Sequence, residues 1–204
     1  MNSPYDEVPF ERWPELTKRL VAESPLDTAE LIDVVLTTWD AIFRTKIGGK
    51  ICIGTDYFPI PQILGDFLHE LIPYELEMRH PGVWRRDSEP NEKDLVYVPD
   101  NFYSAEIKTS SQRSVYGNRS FSKKGQARPA KKEKSGYCIV INFPPIHKLK
   151  KVAPISTIRF GWIDIEDWRG QKAETGQQAS LPKHIFEAKL IKIYENQKQR
   201  SRYR

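Results

Sequence analysis

The sequence predicts an α/β (α+β) fold, with a mixed central sheet of about five strands flanked by helices. Three observations predict it. Apolar residues recur at helical spacing in the first third. Strand-like segments take over from residue 94. The run 137–143 is almost continuously apolar, the mark of a strand buried on both faces. Helices before and among strands make a layered sandwich. The 204 residues suit one domain, 1–204, with a mostly helical part (1–80), a sheet with its loops (94–194) and a basic tail (195–204). Hydrophobic residues are 39% of the chain, with nine Phe, nine Tyr and five Trp, which excludes wholesale disorder.

Taken in order, 9–21 reads as a short helix. Ser24-Pro25 then caps a longer one, with Pro25 at the first helical position and Asp27 in the first turn. Leu31, Val34, Val35, Trp39, Ile42 and Phe43 give that helix one buried face, and Gly48-Gly49 ends it. Pro61 starts a helix carrying Ile63, Leu64, Phe67, Leu68 and Leu71, which Pro73 ends or kinks. Strands follow at 94–98 and 102–109, joined by the turn Pro99-Asp100-Asn101, then at 137–143, 155–165 and 185–194. The Ser-, Lys- and Arg-rich stretch 110–135 is expected to be a long mobile loop.

Composition narrows the function. No apolar stretch is long enough to cross a bilayer. The first six residues show no basic or apolar signal-peptide region, so a cytoplasmic protein is expected. Cys52 and Cys138 lie in apolar runs and read as buried free thiols. Four His and two Cys show no zinc spacing. The net charge of +5 conceals a division. Through Ile107 there are 10 Lys/Arg against 20 Asp/Glu; from Lys108 onward there are 22 against 7. One side of such a chain suits a polyanion.

The sign changes at Glu106-Ile107-Lys108. Residues two apart on a strand point to one face, so Glu106 and Lys108 lie together. A carboxylate facing the same way on the neighbouring strand would complete a pocket of two acids and one ammonium. Such a pair can hold Mg²⁺ through hard oxygen ligands, with water and phosphate in the remaining positions. The tripeptide alone is a weak signal, since Glu187-Ala188-Lys189 is a second copy.

The segment from Glu92 to Lys108 resembles the PD-(D/E)XK nuclease superfamily, in which an Asp precedes Glu-x-Lys on the preceding strand. Two aspartates compete here. Pro99-Asp100 spells the literal motif, but Asp100 lies in the turn, six residues from Glu106 and roughly 20 Å away along a straight strand. Ligands of one Mg²⁺ must lie within about 5 Å of each other. A three-residue loop pairs Asp94 with Glu106; a five-residue loop pairs it with Lys108. Either puts Asp94 on the pocket face, whereas an even loop would not. Geometry therefore chooses Asp94 over Asp100 unless a bend or bulge intervenes near Ala105. In such nucleases a third acid often comes from a helix before the hairpin. Glu70 is the candidate, with His69 beside it and Glu75 or Glu77 behind, and a plain surface glutamate is the competing reading.

From Lys108 to Lys134 there are nine Lys/Arg and one acid, Glu133. Basic side chains neutralise phosphates, while Arg, Asn and Gln also read base edges. Ser111, Gln112, Arg113, Tyr116, Asn118 and Arg119 are candidate DNA contacts, with Lys123 and Lys124 on phosphates. The segment 175–182, with Gln177 and Gln178, could reach a groove or be an ordinary surface loop.

A narrower resemblance rests on five motifs. They are Lys93-Asp94-Leu95-Val96-Tyr97, Glu106-Ile107-Lys108-Thr109-Ser110-Ser111, Tyr116-Gly117-Asn118-Arg119-Ser120, Ile158-Arg159-Phe160-Gly161-Trp162 with Asp164 and Asp167-Trp168, and Thr175-Gly176-Gln177-Gln178-Ala179. Together they resemble the ScaI-like family of type II restriction endonucleases. The resemblance implies a restriction-endonuclease-like core and a Mg²⁺-dependent enzyme without a small-molecule cofactor. Its substrate would be a short palindrome in double-stranded DNA, cut on both strands to blunt ends. A palindrome has two-fold symmetry, so a homodimer is expected. Asp94, Glu106, Lys108 and Glu70 would be catalytic, with Asp94 and Glu106 on the metal. The competing functions are a structure-selective repair or junction nuclease and a non-catalytic nucleic-acid-binding protein.

Overall fold

Three helices cover one face of the molecule in a computed structural model that describes residues 3–118, 134–171 and 178–197. Helix α1 (Trp13–Glu23) has a proline in its first turn and buries Leu16, Thr17, Leu20 and Val21. Helix α2 (Thr28–Arg44) buries Leu31, Val34, Val35, Thr38, Trp39 and Ile42, the stripe that its three- and four-residue spacing demands. Its cap differs from expectation. The Asp27 carboxylate accepts from Glu30 N at 2.8 Å, while Ser24 Oγ accepts from Leu26 N in the preceding turn. The helix ends at Arg44, before the glycines. Gly48 and Gly49, at φ +59° and +71°, instead turn the hairpin of β1 (Lys46–Ile47) and β2 (Ile51–Cys52). Helix α3 (Pro61–Arg79) starts at its proline as expected but runs through Pro73.

The central sheet has six strands: β3 (Trp84–Arg86), β4 (Leu95–Tyr97), β5 (Ala105–Ser110), β7 (Gly136–Asn142), β8 (Thr157–Ile163) and β11 (Leu190–Glu195). Their order is β11-β8-β7-β5-β4-β3. Only β5 and β7 run parallel; every other neighbouring pair is antiparallel. All five expected strands are present in part, and β3 is an additional edge. Two stretches differ from the sequence reading. Residues Asn101–Tyr103 form a turn of 3₁₀ helix rather than the start of a strand. Ile146–Leu149 form the short helix α4, and Lys183–Lys189 form helix α5, so the last strand begins only at Leu190.

The pleat divides the sheet into two buried faces. Ala105, Ile107, Tyr137, Ile139, Ile141, Phe160 and Trp162 pack with α1, α2 and α3 in the larger core. Cys138, Val140 and Ile163 face the other way, into a smaller core with Val115, Trp168, Ala179, Phe186 and Leu190. A three-stranded sheet covers this second face: β6 (Tyr116–Asn118), β10 (Gln178–Ser180) and β9 (Arg169–Gly170), antiparallel with β10 in the middle. The stretch expected to be a loop from 110 thus contains a strand. Cys52 is half-buried rather than buried; Cys138 is buried, and both are free. No helix among the described residues is long and apolar enough to cross a membrane.

Candidate active site

Strands β4 and β5 fix the site through one register. Leu95 pairs with Ala105, so the next antiparallel position sets Asp94 opposite Glu106. This is the pairing of a three-residue loop, although the chain between the strands is longer. Side chains staple that connection. Asp100 caps the 3₁₀ turn by accepting from Phe102 N at 2.9 Å. Ser104 Oγ accepts from Tyr97 N at 3.0 Å and donates to Asn101 Oδ1 at 2.8 Å. Asp100 is exposed at the hairpin tip and takes no part in the pocket.

The parallel pairing to β7 decides which face the site occupies. Glu106 lies beside Cys138 and Lys108 beside Val140, so both point to the smaller core. Lys108 Nζ donates to Glu106 Oε2 at 2.6 Å and lies 3.6 Å from Asp94 Oδ2. The two carboxylate oxygens are therefore at most about 6 Å apart. Asp94 Oδ2 also accepts from Ile107 N at 2.7 Å, which ties its carboxylate to the neighbouring strand. Glu106, Lys108, Lys134, Tyr137, Cys138 and Trp168 line a small cavity there.

Burial opposes the charge on Lys108, but Glu106 and Asp94 outweigh it and hold the ammonium above the usual lysine range. Burial pushes the Cys138 thiol up to about 12, so it stays protonated at neutral pH. His69 on α3 places Nδ1 3.6 Å from Asp94 Oδ2. Burial lowers its pKa, and Lys108 adds to this while Asp94 opposes it. Four side chains thus converge: Asp94, Glu106, Lys108 and His69.

Glu70 does not join them. Its side chain is 71% exposed and faces Arg86 Nη1 at 3.4 Å. Adjacent helical residues point about 100° apart, so the face that carries His69 to the pocket turns Glu70 outward. The sequence placed a helix here, but its rotation about its axis depends on where the sheet lies.

Of the expected DNA contacts, Ser111 is half-buried and Gln112 and Arg113 are exposed. Asn142 Nδ2 donates to Gln112 O at 2.6 Å, anchoring this segment to the end of β7. Tyr116 is exposed on β6, and Asn118 pairs in register with Gln178. Arg119, Lys123 and Lys124 lie outside the described residues, as does Gln177. The join between 116–118 and 178–180 was not legible in the sequence, because nothing local signals which strands pair across 60 residues.

The donor set suits a hard cation. Asp94 and Glu106 offer carboxylate oxygens that both face the Lys108 ammonium, and Mg²⁺ characteristically takes one or two carboxylates with water and phosphate. Among the described residues no group of three or more His, Cys, Asp and Glu is placed to hold a metal ion.

Residues 3–194 match the model of the ScaI restriction endonuclease family. The curated type II restriction enzyme ScaI of Streptomyces caespitosus is 44% identical to this chain over 195 residues, which is 95% of this chain and 85% of that enzyme. With a family match over nearly its whole length and a relative this similar, the chain belongs to the ScaI restriction endonuclease family.

Proposed function

We propose that this restriction endonuclease cuts both strands of a short palindromic site in double-stranded DNA by Mg²⁺-dependent phosphodiester hydrolysis, with Asp94, Glu106 and Lys108 as its reaction centre. The observation that supports this reading most is the convergence of two carboxylates on one lysine ammonium on the sheet face next to the β6–β10–β9 sheet. Asp94 and Glu106 would hold the ion. Bound Mg²⁺ supplies acidity to a water and offsets charge on the phosphate under attack.

The chain's own groups do the rest. Lys108 lies beside the attacking water, orients it by hydrogen bonding, and neutralises charge as the water gives a proton to solvent, its oxygen bonds to phosphorus and one ester P–O bond breaks, the leaving oxygen taking a proton from solvent. Ile107 N holds the Asp94 carboxylate in place by a hydrogen bond, and the His69 ring lies beside it. Glu70 is left out of the reaction centre and pairs with Arg86 at the surface. Each chain carries one such pocket, and cutting both strands of a palindrome calls for two related by a two-fold axis, hence a homodimer. Free cysteines fit a reducing, cytoplasmic setting.

One digest tests the reading. A sequenced plasmid incubated with the protein and Mg²⁺ should give discrete fragments, and run-off sequencing of their ends should give one palindromic site. A smear, or cutting only at branched DNA, would favour a structure-selective nuclease. Retention of DNA without Mg²⁺-dependent cutting would favour a binding protein.

A further inference from the structure

The small sheet carries a second row of chemistry that the reaction centre does not use. Register places Tyr116, Ser180 and Arg169 side by side across β6, β10 and β9. One step along, Gly117, Ala179 and Gly170 form the next row. Gly117 and Ala179 are buried, with a Cβ at Gly117 meeting the Trp168 ring at 3.1 Å. Alternation along a strand then turns Tyr116, Ser180, Arg169 and Gln178 to the opposite, outward face. Arg169 and Gln178 are exposed there, and Tyr116 is 37% exposed.

We infer that this outward face reads base edges in the major groove, with Arg169 and Gln178 as specificity-determining residues; the inference rests on the cleavage function proposed above. A major groove about 12 Å wide admits a β-ribbon, and Arg to guanine and Gln to adenine are its characteristic paired contacts. The location fits as well. Trp168 lies under Gly117 and also lines the cavity with Glu106 and Lys108, so the small sheet and the pocket share one ring. The back of the sheet is fixed by the smaller core, which gives the outward side chains a rigid platform.

Arg169→Lys separates base reading from phosphate binding, because lysine keeps the charge but loses the planar fork. Binding is measured by fluorescence anisotropy with Ca²⁺ in place of Mg²⁺. The probes are a duplex of the site found by the digest and duplexes with one base pair changed at each position. For Arg169→Lys and for Gln178→Ala, the preference for the intact site should fall about 10- to 100-fold at one position of each half-site and hold elsewhere. Thermal melting by circular dichroism confirms that both variants fold, since both positions are exposed. Equal weakening on every duplex, or preference unchanged in both variants, would overturn the inference. Failure of the wild-type digest to give discrete fragments would overturn the cleavage function itself.

Discussion

Two copies of Glu-x-Lys occur in this molecule, and they behave in opposite ways. Glu106-Ile107-Lys108 lies on a strand, where residues two apart share a face, and the pair makes a hydrogen bond at 2.6 Å. Glu187-Ala188-Lys189 lies at the end of α5, where residues two apart point about 200° from each other. Glu187 is 58% exposed and faces Lys183 at 3.9 Å. Lys189 is buried and binds Asp164 Oδ2 at 2.7 Å and Asp167 Oδ2 at 2.8 Å, with its ammonium 4.2 Å from the Tyr5 ring centre and 4.5 Å from that of Trp13. Both lysines meet two carboxylates. At Lys189 the polar atoms are closed in by Trp162, Ser3 and aromatic rings, so the cluster holds the N-terminal segment to the sheet. At Lys108 the cluster lines a small cavity beside the smaller core. A tripeptide has no function apart from the backbone that carries it.

Substitutions should separate the two clusters. The largest effect is expected for Lys108→Ala, which should cut the cleavage rate by about 10²- to 10⁴-fold or more while leaving specific DNA binding largely intact. Rate and anisotropy measured on one preparation check this. Glu187→Gln in the other copy should leave both unchanged. Next comes Lys189→Ala, which leaves two buried carboxylates uncompensated and should cost about 3–5 kcal/mol of stability. That corresponds to a fall in Tm on the order of 10 °C, visible in a thermal melt. A melt unchanged by Lys189→Ala would erase the distinction between the clusters.

A smaller effect concerns pH. Burial raises the Asp167 carboxyl above its ordinary range, with Lys189 opposing. The folded state therefore holds that proton more tightly than the unfolded one. The stability Asp167 contributes is greatest below the ordinary value of 3.8 and declines as pH rises through the raised one. Denaturation midpoints of wild type and Asp167→Asn, compared from pH 3.5 upward, should show the wild type losing ground to the variant over that window.

Much of this was readable in the residues. The buried stripe of α2 and the apolar run that became β7 follow from spacing alone, whereas loop length allowed Asp94 to face either Glu106 or Lys108 and the 3₁₀ turn with the Leu95–Ala105 pair decided between them. The rest depended on partners far away in sequence. Trp84–Arg86 is too short for any period to show, and becomes a strand only because β4 lies beside it. Ile185, Phe186 and Leu190 are apolar in either geometry, so Pro182 and packing decided for helix over 183–189. His69 rather than Glu70 faces the pocket because α3 is rotated by its contact with the sheet, where a Cβ at Gly65 would press on Thr109.

In the proposed mechanism Asp94, not the Asp100 of the literal Pro-Asp, completes the reaction centre. Asp94→Asn and Asp100→Asn, assayed side by side on the same plasmid with Mg²⁺, test it most directly. Asp94→Asn should abolish the fragment pattern, and Asp100→Asn, which disturbs only the cap on Phe102 N, should reproduce it. Loss of cutting in Asp100→Asn with full cutting in Asp94→Asn would overturn that assignment.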